Sequence, residues 1–347
     1  MPDNINIAGK IIGENHPCFI IAEAGSNHDR KFKQAINLID LAVEAGADSV
    51  KFQVFTAGEI AARTNHEIAH FKSKYGETLY QFYNSLEMPR EWIPELKEYC
   101  EEKRIIFSAT PFDYQAVDLL EKVDVSFYKI ASFELVHLPL LRYVAKTKKP
   151  IVLSTGMAYL GEIEDAVRVI RDEGNNNIVI LHCGISYPAP FEEVNIRAME
   201  TIKAAFDLNV GYSDHTSGVI VPIVAVSKGA RIIEKHYSID KTLPGPDHEF
   251  ALGPQELIEM VKAIRITEKV LGDGIKHPTQ CEMIHRQRGR RSLFINKDAN
   301  SGYQIKKEDI VVLRPGVGIE PKYIDLIIGR ELKKPVSKFD PITWDKI

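Results

Sequence analysis

Eight short apolar runs alternate with longer stretches of helical periodicity, and this alternation constrains the chain more than any other feature. The runs begin near Phe19 (FIIAEAG), Ser49 (SVKFQVF), Ile106 (IFSATP), Phe127 (FYKIAS), Ile151 (IVLSTG), Ile178 (IVILHCG), Val210 (VGYSDH) and Arg231 (RIIEKHY). Each is short and mostly apolar, the pattern of a strand buried on both faces. The stretches between them read as amphipathic helices. Lys31 to Ala47 places Ile36, Ile39 and Val43 at helical spacing, with Asp29 as the expected cap and Gly46 near the end. Leu160 to Gly174 reads similarly, and Pro254 to Gly272 carries Leu257, Met260, Val261 and Ile264 on one stripe. Strands that alternate with helices imply a parallel sheet. Eight such units predict an α/β fold of the (β/α)8 TIM-barrel type, with an open doubly wound sheet as the competing architecture. The gap after the second run is much longer than the others and predicts an insertion, which includes ETLYQFYNSLEMPREW (Glu77 to Trp92).

The barrel is expected over residues 1–276. Residues 277–291 (HPTQCEMIHRQRGRR) are polar and basic and read as a linker. From Ser292 the pattern changes to SLFINKD, GYQIKKEDIVVLRPG and GRELKKPVSKFDPITW, so residues 292–347 are expected to form a small β-rich module without a long helix. With 347 residues, 44% of them hydrophobic, the chain can bury a large core without disulfides or a structural metal. Its formal charge of −4 gives no electrostatic reason to expect nucleic acid or an anionic membrane as partner. Cys18, Cys100, Cys183 and Cys281 show no metal-ligand or redox spacing, so free, mostly buried thiols in a cytoplasmic protein are expected. Met1 to Lys10 lacks the apolar run of a signal peptide, and no stretch is apolar over the length of a membrane span.

The runs are apolar where they start and polar where they finish. The first ends in Glu23, the second carries Lys51 and Gln53, and the third Ser108 and Thr110. The fourth carries Lys129 and Ser132, with Glu134 just beyond, and the fifth ends in Ser154 and Thr155. The sixth carries His182, with Tyr187 in the following loop. The seventh ends in Ser213, Asp214 and His215, and the eighth in Glu234, Lys235 and His236. In a barrel these ends converge on one mouth, where active sites of this architecture lie. Any one of them alone reads as a structural hydrogen-bonder. Eight polar ends together predict a pocket for a polar ligand, because unpaired polar groups are costly to bury.

Lys51 and Lys129, with the hydroxyls around them, suit a small dianion such as phosphate or carboxylate. No P-loop or GxGxxG points to a nucleotide. His215 and His236 end adjacent strands; they fit a divalent metal with open positions, and equally two separately hydrogen-bonded imidazoles. The loop LPGPDHEF (Leu243 to Phe250) is stiffened by Gly and Pro and carries Asp247, either a partner for a sugar hydroxyl or a residue of a solvated turn.

Together, IIAEAGSNH, AGADSVKFQ, FSATPFD, YKIAS, PIVLSTGM, SYPAP, GYSDHT, IIEKHY and LPGPDH resemble the N-acetylneuraminate synthase family, the sialic-acid-type nonulosonate synthases. LRPGVGIEP followed by IGRELKK resembles that family's C-terminal antifreeze-like (SAF) domain, so the likeness covers nearly the whole chain. It implies a barrel joined to that domain, a homodimer in which the domain is swapped to cap the partner's barrel, and a divalent metal, Mn2+ or Mg2+. It also implies attack by phosphoenolpyruvate on the open-chain aldehyde of an N-acetylated hexosamine, with phosphate leaving by C–O cleavage. The family's metal ligands fall on His215 and His236. Its phosphoenolpyruvate contacts fall on Lys51, Thr110, Lys129, Ser132, Ser154 and Ser213, and its sugar-side residues on Glu23, Gln53, Glu134, Tyr187 and Asp247. Arg314 matches the arginine that reaches across from the swapped domain.

Within this likeness, Glu23 is the carboxylate expected to handle protons or to steady the developing cation, and Arg314 the expected partner of the sugar's acyl group. One departure stands out. The family's Thr-Asn pair after Cys183 is replaced by Gly184-Ile185, so the Asn contribution is missing or supplied elsewhere, for example by Ser186. The insertion and KIASFEL lean toward pseudaminate-type members and GPDH toward neuraminate and legionaminate types. Other readings remain: a class I aldolase with a Schiff base on Lys129, a related phosphoenolpyruvate-using sugar-acid synthase without the C-terminal domain, and a non-enzymatic carbohydrate- or ice-binding protein.

Overall fold

The computed structural model describes residues 2–63 and 78–347; residues 64–77, which hold part of the expected insertion, lie outside the described residues. The chain divides into two units, Met1–Gly272 and Asp273–Ile347.

The first unit opens with an antiparallel hairpin, β1 (Ile5–Ile7) and β2 (Lys10–Ile12). Eight parallel strands follow: β3 (Phe19–Gly25), β4 (Ser49–Val54), β5 (Ile106–Pro111), β6 (Tyr128–Ile130), β7 (Ile151–Ser154), β8 (Ile178–Cys183), β9 (Asn209–Asp214) and β10 (Ile232–His236). Helix α1 (Phe32–Ala45) follows β3; α2 (Ala57–Ile60), α3 (Leu79–Leu86) and α4 (Ile93–Lys103) lie between β4 and β5. One helix follows each later strand: α5 (Tyr114–Lys122), α6 (Leu138–Ala145), α7 (Leu160–Asp172), α8 (Ala198–Phe206), α9 (Ile220–Ser227) and α10 (Pro254–Leu271). The sheet order is β5-β4-β3-β10-β9-β8-β7-β6, with β5 and β6 side by side at its two ends. Strands consecutive in the chain are neighbours, and the first of the eight pairs with the last. A doubly wound sheet reverses its order part-way; this one runs round, so it is the barrel.

Residues on a strand alternate between faces. On β3, Phe19 and Ile21 turn inward and are followed by Glu23; on β10, Ile232 is followed by Glu234 and His236. The first inward positions of several strands form an apolar cluster with Ile5, Ile7 and Ile12 of the hairpin. That cluster fills the barrel at the strand starts and leaves the strand ends for polar groups. The outward positions, such as Ile20, Ala22, Val50 and Ile233, pack under the helices in a second core.

The helix starts differ from expectation in one respect. Asp29 does not cap α1: its backbone is left-handed (φ 48°), and α1 begins after Lys31 with no side-chain cap. The Asp29 carboxylate instead accepts from His248 Nε2 (3.0 Å) and Gln34 Nε2 (2.8 Å), which ties the loop after β10 to the loop after β3.

The second unit contains α11 (Met283–Gly289), an antiparallel pair formed by β11 (Ser292–Ile295) and β12 (Ile310–Leu313), and the single turn α12 (Ile324–Ile327). Its core includes Leu293, Ile295, Ile305, Ile319 and Leu332. Helix α11 falls in the segment whose polarity read as a linker, where Thr279 and Glu282 form a reciprocal cap just before it. All four cysteines are free; Cys281 alone among them is exposed. No helix among the described residues is long and apolar enough to cross a membrane.

Candidate active site

The C-terminal ends of the barrel strands surround a cavity of about 500 Å³. At its centre are two lysines and two carboxyls, all buried. Lys51 Nζ lies 2.7 Å from Glu23 Oε2, on the neighbouring strand, and 3.8 Å from Glu234 Oε2. Lys129 Nζ lies 3.1 Å from Glu234 Oε1, which also accepts from Ser213 Oγ at 3.0 Å. The two carboxyls respond in opposite ways. Burial pushes Glu23 up, against the pull of Lys51 and with the charge of Glu234 adding to the rise. Burial also opposes the charge of Glu234, but Lys129 and Lys51 overcome it and hold that carboxyl at about 2. Lys51 sits above its usual range because Glu23 and Glu234 outweigh its burial. Glu234 is thus a fixed anion, and Glu23 is the group able to exchange a proton; such splitting of paired groups marks acid–base assignments.

Hydroxyls gather beside the lysines. Lys51 Nζ donates to Thr110 Oγ1 (3.0 Å). Ser132 Oγ accepts from the backbone N–H of Gly156 (2.9 Å), which fixes the hydroxyl at the cavity wall. Ser154 Oγ lines the cavity, buried and without a hydrogen-bond partner. Gln53 Nε2 donates to Glu23 Oε1 (2.9 Å) and orients it. Buried donors arranged around two ammonium groups are suited to a small dianion.

On the adjacent strands β9 and β10, His215 and His236 stand with ring centroids 5.3 Å apart. His215 Nδ1 donates to the carbonyl of Gly184 (2.7 Å). A carbonyl can only accept, so the bond fixes the tautomer and leaves Nε2 with a bare lone pair. His236 Nδ1 is buried without a hydrogen-bond partner, 3.7 Å from Asp247 Oδ2. Burial lowers both imidazoles, to about 3 for His215 and about 4 for His236, so both are neutral near pH 7. Two neutral imidazoles, one second-sphere carbonyl and one orphaned nitrogen fit a divalent cation that takes its remaining ligands from water or substrate. No group of three or more His, Cys, Asp or Glu side chains among the described residues is arranged to hold one unaided. Tyr187 packs its ring 4.4 Å from that of His215, and Asp247 is fixed by Ser26 Oγ (3.0 Å).

The structure sorts the sequence candidates. Glu23, Lys51, Gln53, Thr110, Lys129, Ser132, Ser154, Tyr187, Ser213, His215, His236 and Asp247 all line the one cavity. Glu134 does not; it sits on the turn after β6, off the wall, where burial raises its carboxyl to about 7. Arg314 belongs to the second unit, exposed directly after β12. Ser186 is exposed and does not line the cavity, so it does not replace the missing Asn; Ile185 is there instead, an apolar group beside Gly156. Not every polar strand end belongs to the site. Asp214 and Lys235 pair with each other at 2.5 Å, His182 Nε2 is taken by the carbonyl of Val194, and Thr155 donates to Leu181. Sequence reasoning assigned no role to Glu234, although a period of two counted back from His236 places it inward. It also missed an aromatic wall of Phe55, Phe82, Tyr83 and Phe112.

A (β/α)8 barrel with paired lysines, opposed carboxyls and neutral imidazoles at its mouth defines a barrel enzyme for a small anionic substrate. Residues 38–276 match the NeuB family and residues 290–347 the SAF domain. The N,N'-diacetyllegionaminic acid synthase of Legionella pneumophila is 40% identical over 354 residues, covering 100% of this chain and 99% of that protein. The crystal structure of the Bacillus subtilis spore coat polysaccharide biosynthesis protein SpsE is 41% identical, with 99% of each chain covered and a TM-score of 0.68. The N-acetylneuraminic acid synthetase of Leptospira borgpetersenii, solved with citrate, is 35% identical, covering 82% of this chain and 95% of that one, with a TM-score of 0.74. The chain belongs to the NeuB family.

Proposed function

We propose that this protein condenses phosphoenolpyruvate with the open-chain aldehyde of an N-acylated amino sugar, giving N-acetylneuraminate or a related nonulosonate and phosphate. The observation that carries the reading is the pairing of Lys51 and Lys129 with buried hydroxyls in the same cavity as two neutral imidazoles. Lys51, Lys129, Thr110, Ser132, Ser154 and Ser213 hold the phosphate and carboxylate and neutralise their charge. The enol carbon then bonds the aldehyde carbon, whose oxygen takes up a proton. Water adds at the second carbon and gives up a proton, and phosphate departs with the bridging oxygen. Glu23 receives the proton of that water, with Gln53 holding its carboxyl in place. Tyr187 and Asp247 orient the sugar. His215 and His236 are the residues that would hold a divalent cation, Mn2+ or Mg2+, whose contribution when bound is to polarise the aldehyde oxygen.

The proposal includes a cytoplasmic, domain-swapped homodimer in which Arg314 reaches the acyl group of the sugar in the other protomer. A diacetamido-trideoxy hexose as acceptor is favoured by the higher identity to the legionaminic acid synthase, 40%, than to the neuraminic acid synthetase, 35%. A Schiff base on Lys129 is disfavoured by its ion pair with Glu234.

The test is phosphate release from phosphoenolpyruvate by dialysed protein, with and without Mn2+, offered N-acetylmannosamine and diacetamido-trideoxy hexoses in turn. Release should require both the metal and a sugar, and should be lost in His215→Ala and His236→Ala. A folded protein that releases no phosphate with any of these sugars contradicts the reading.

A further inference from the structure

We propose that Phe82, Tyr83 and Leu86 of α3, with Phe55 and Phe112, form a wall that reads methyl groups at the far end of the acceptor and so selects a 6-deoxy, doubly N-acylated hexose over one ending in a hydroxymethyl group. This rests on the condensation proposed above and assigns the residues that choose its sugar.

The cavity is divided by chemistry. The lysines, carboxyls and hydroxyls occupy its centre, and the imidazoles stand at the ends of β9 and β10. The wall rises beyond β4 and β5, two to four strands round the barrel from β9 and β10, and from the helix inserted between them. It is continuous: the ring of Phe55 meets Phe112 at 5.4 Å and Tyr83 at 5.8 Å, and Tyr83 meets Phe82 at 5.3 Å, all edge to face. The segment Thr78 to Leu86 forms this helix because Thr78 and Gln81 cap its start reciprocally, and it lies outside the regular βα repeat.

On this proposal, an acceptor with its aldehyde by the imidazoles and beside the enol on Lys51 and Lys129 extends along the cavity toward the wall. Its C4 to C6 end then lies against these rings. A hydroxyl there gives up water and finds no partner on Phe55, Phe82, Leu86 or Phe112, whereas a methyl group gains by burial. The Tyr83 hydroxyl is the one polar group these five side chains carry, and it can meet one of the two groups, N–H or C=O, that a second amide presents.

Three acceptors separate the possibilities: N-acetylmannosamine, its 6-deoxy counterpart, and 2,4-diacetamido-2,4,6-trideoxymannose. The wild-type kcat/KM is expected to rise by about 10-fold or more from the first to the third, the range a hydrophobic pocket gives for such changes. Phe82→Asn and Leu86→Asn should shrink that preference by roughly 5-fold or more, through loss on the deoxy sugars, with KM for phosphoenolpyruvate unchanged. A purely structural defect lowers all three acceptors together and leaves their ratio intact, which counts against the assignment. Equal or better use of N-acetylmannosamine by the wild type overturns the inference while leaving the condensation standing. No phosphate release with any sugar overturns both.

Discussion

Lys129 Nζ lies 3.1 Å from Glu234 Oε1, so the anion-binding centre of the barrel already contains an anion of its own. The same carboxylate stands 3.8 Å from Lys51. A dianionic substrate must therefore share these ammonium groups with Glu234, and its binding is weakened by the repulsion. Glu234→Gln should tighten inhibition by orthophosphate by about 5- to 30-fold, on the order of 1–2 kcal/mol for removing one nearby like charge. Turnover should fall by about 100-fold or more, since the lysines lose the group that positions them. Inhibition constants for both proteins check this; unchanged or weaker phosphate binding contradicts the role given to Glu234.

Gly211 sits on β9, packed against Ile232 of β10. A Cβ there would fall on the carbonyl oxygen of Ile232 and lie 2.6 Å from Leu181 Cδ2. Backbone cannot swing aside as a flexible side chain can, so Gly211→Ala should cost about 3 kcal/mol. Gly58 is helical with nothing within 4 Å of such a Cβ, and Gly58→Ala should be neutral or stabilising by up to about 1 kcal/mol. Urea unfolding of both variants makes the comparison, and a Gly211→Ala protein within about 1 kcal/mol of wild type would contradict it.

Glu134 supplies a pH prediction. Burial raises its carboxyl from 4.5 to about 7 in the folded protein. Between those values the folded state holds a proton that the unfolded chain has released. This contribution to stability is complete below the unfolded value and is lost as pH rises through about 7. Glu134→Gln removes the dependence, so from pH 5 to pH 8 the wild type should lose roughly 1–3 kcal/mol relative to the variant. Parallel slopes of unfolding free energy against pH would show that Glu134 does not titrate this way.

The strands were legible because burial on both faces leaves an unbroken apolar run, and the barrel because eight such runs recur with helices between them. The centre of the site was legible for a related reason: a polar residue ending such a run is costly to bury unless a partner or a ligand meets it. Which way each residue faces was harder to read. Asp214 and Lys235 look as functional as Ser213 and Glu234 in the sequence, yet the alternation of the strand turns the first pair outward into a buried ion pair. Counting by two from His236 separates them. Asp29 has the composition of a cap but is held by His248, more than two hundred positions away, a contact that local pattern does not encode. The helix at Met283–Gly289 was hidden by its basic, polar composition. Phe82, Tyr83 and Leu86 lie in an insertion whose helical period is readable, but the direction its apolar face takes depends on tertiary packing.

Formation of a carbon–carbon bond between the two substrates is the central claim, and it can be observed directly. Phosphoenolpyruvate carrying 13C at its methylene carbon is incubated with the protein, Mn2+ and the preferred acceptor carrying 13C at its aldehyde carbon. The expected product shows a one-bond 13C–13C coupling between its two labelled carbons and forms in step with phosphate release. Phosphate release with the labels remaining in separate molecules, as pyruvate and unchanged sugar, would contradict the condensation.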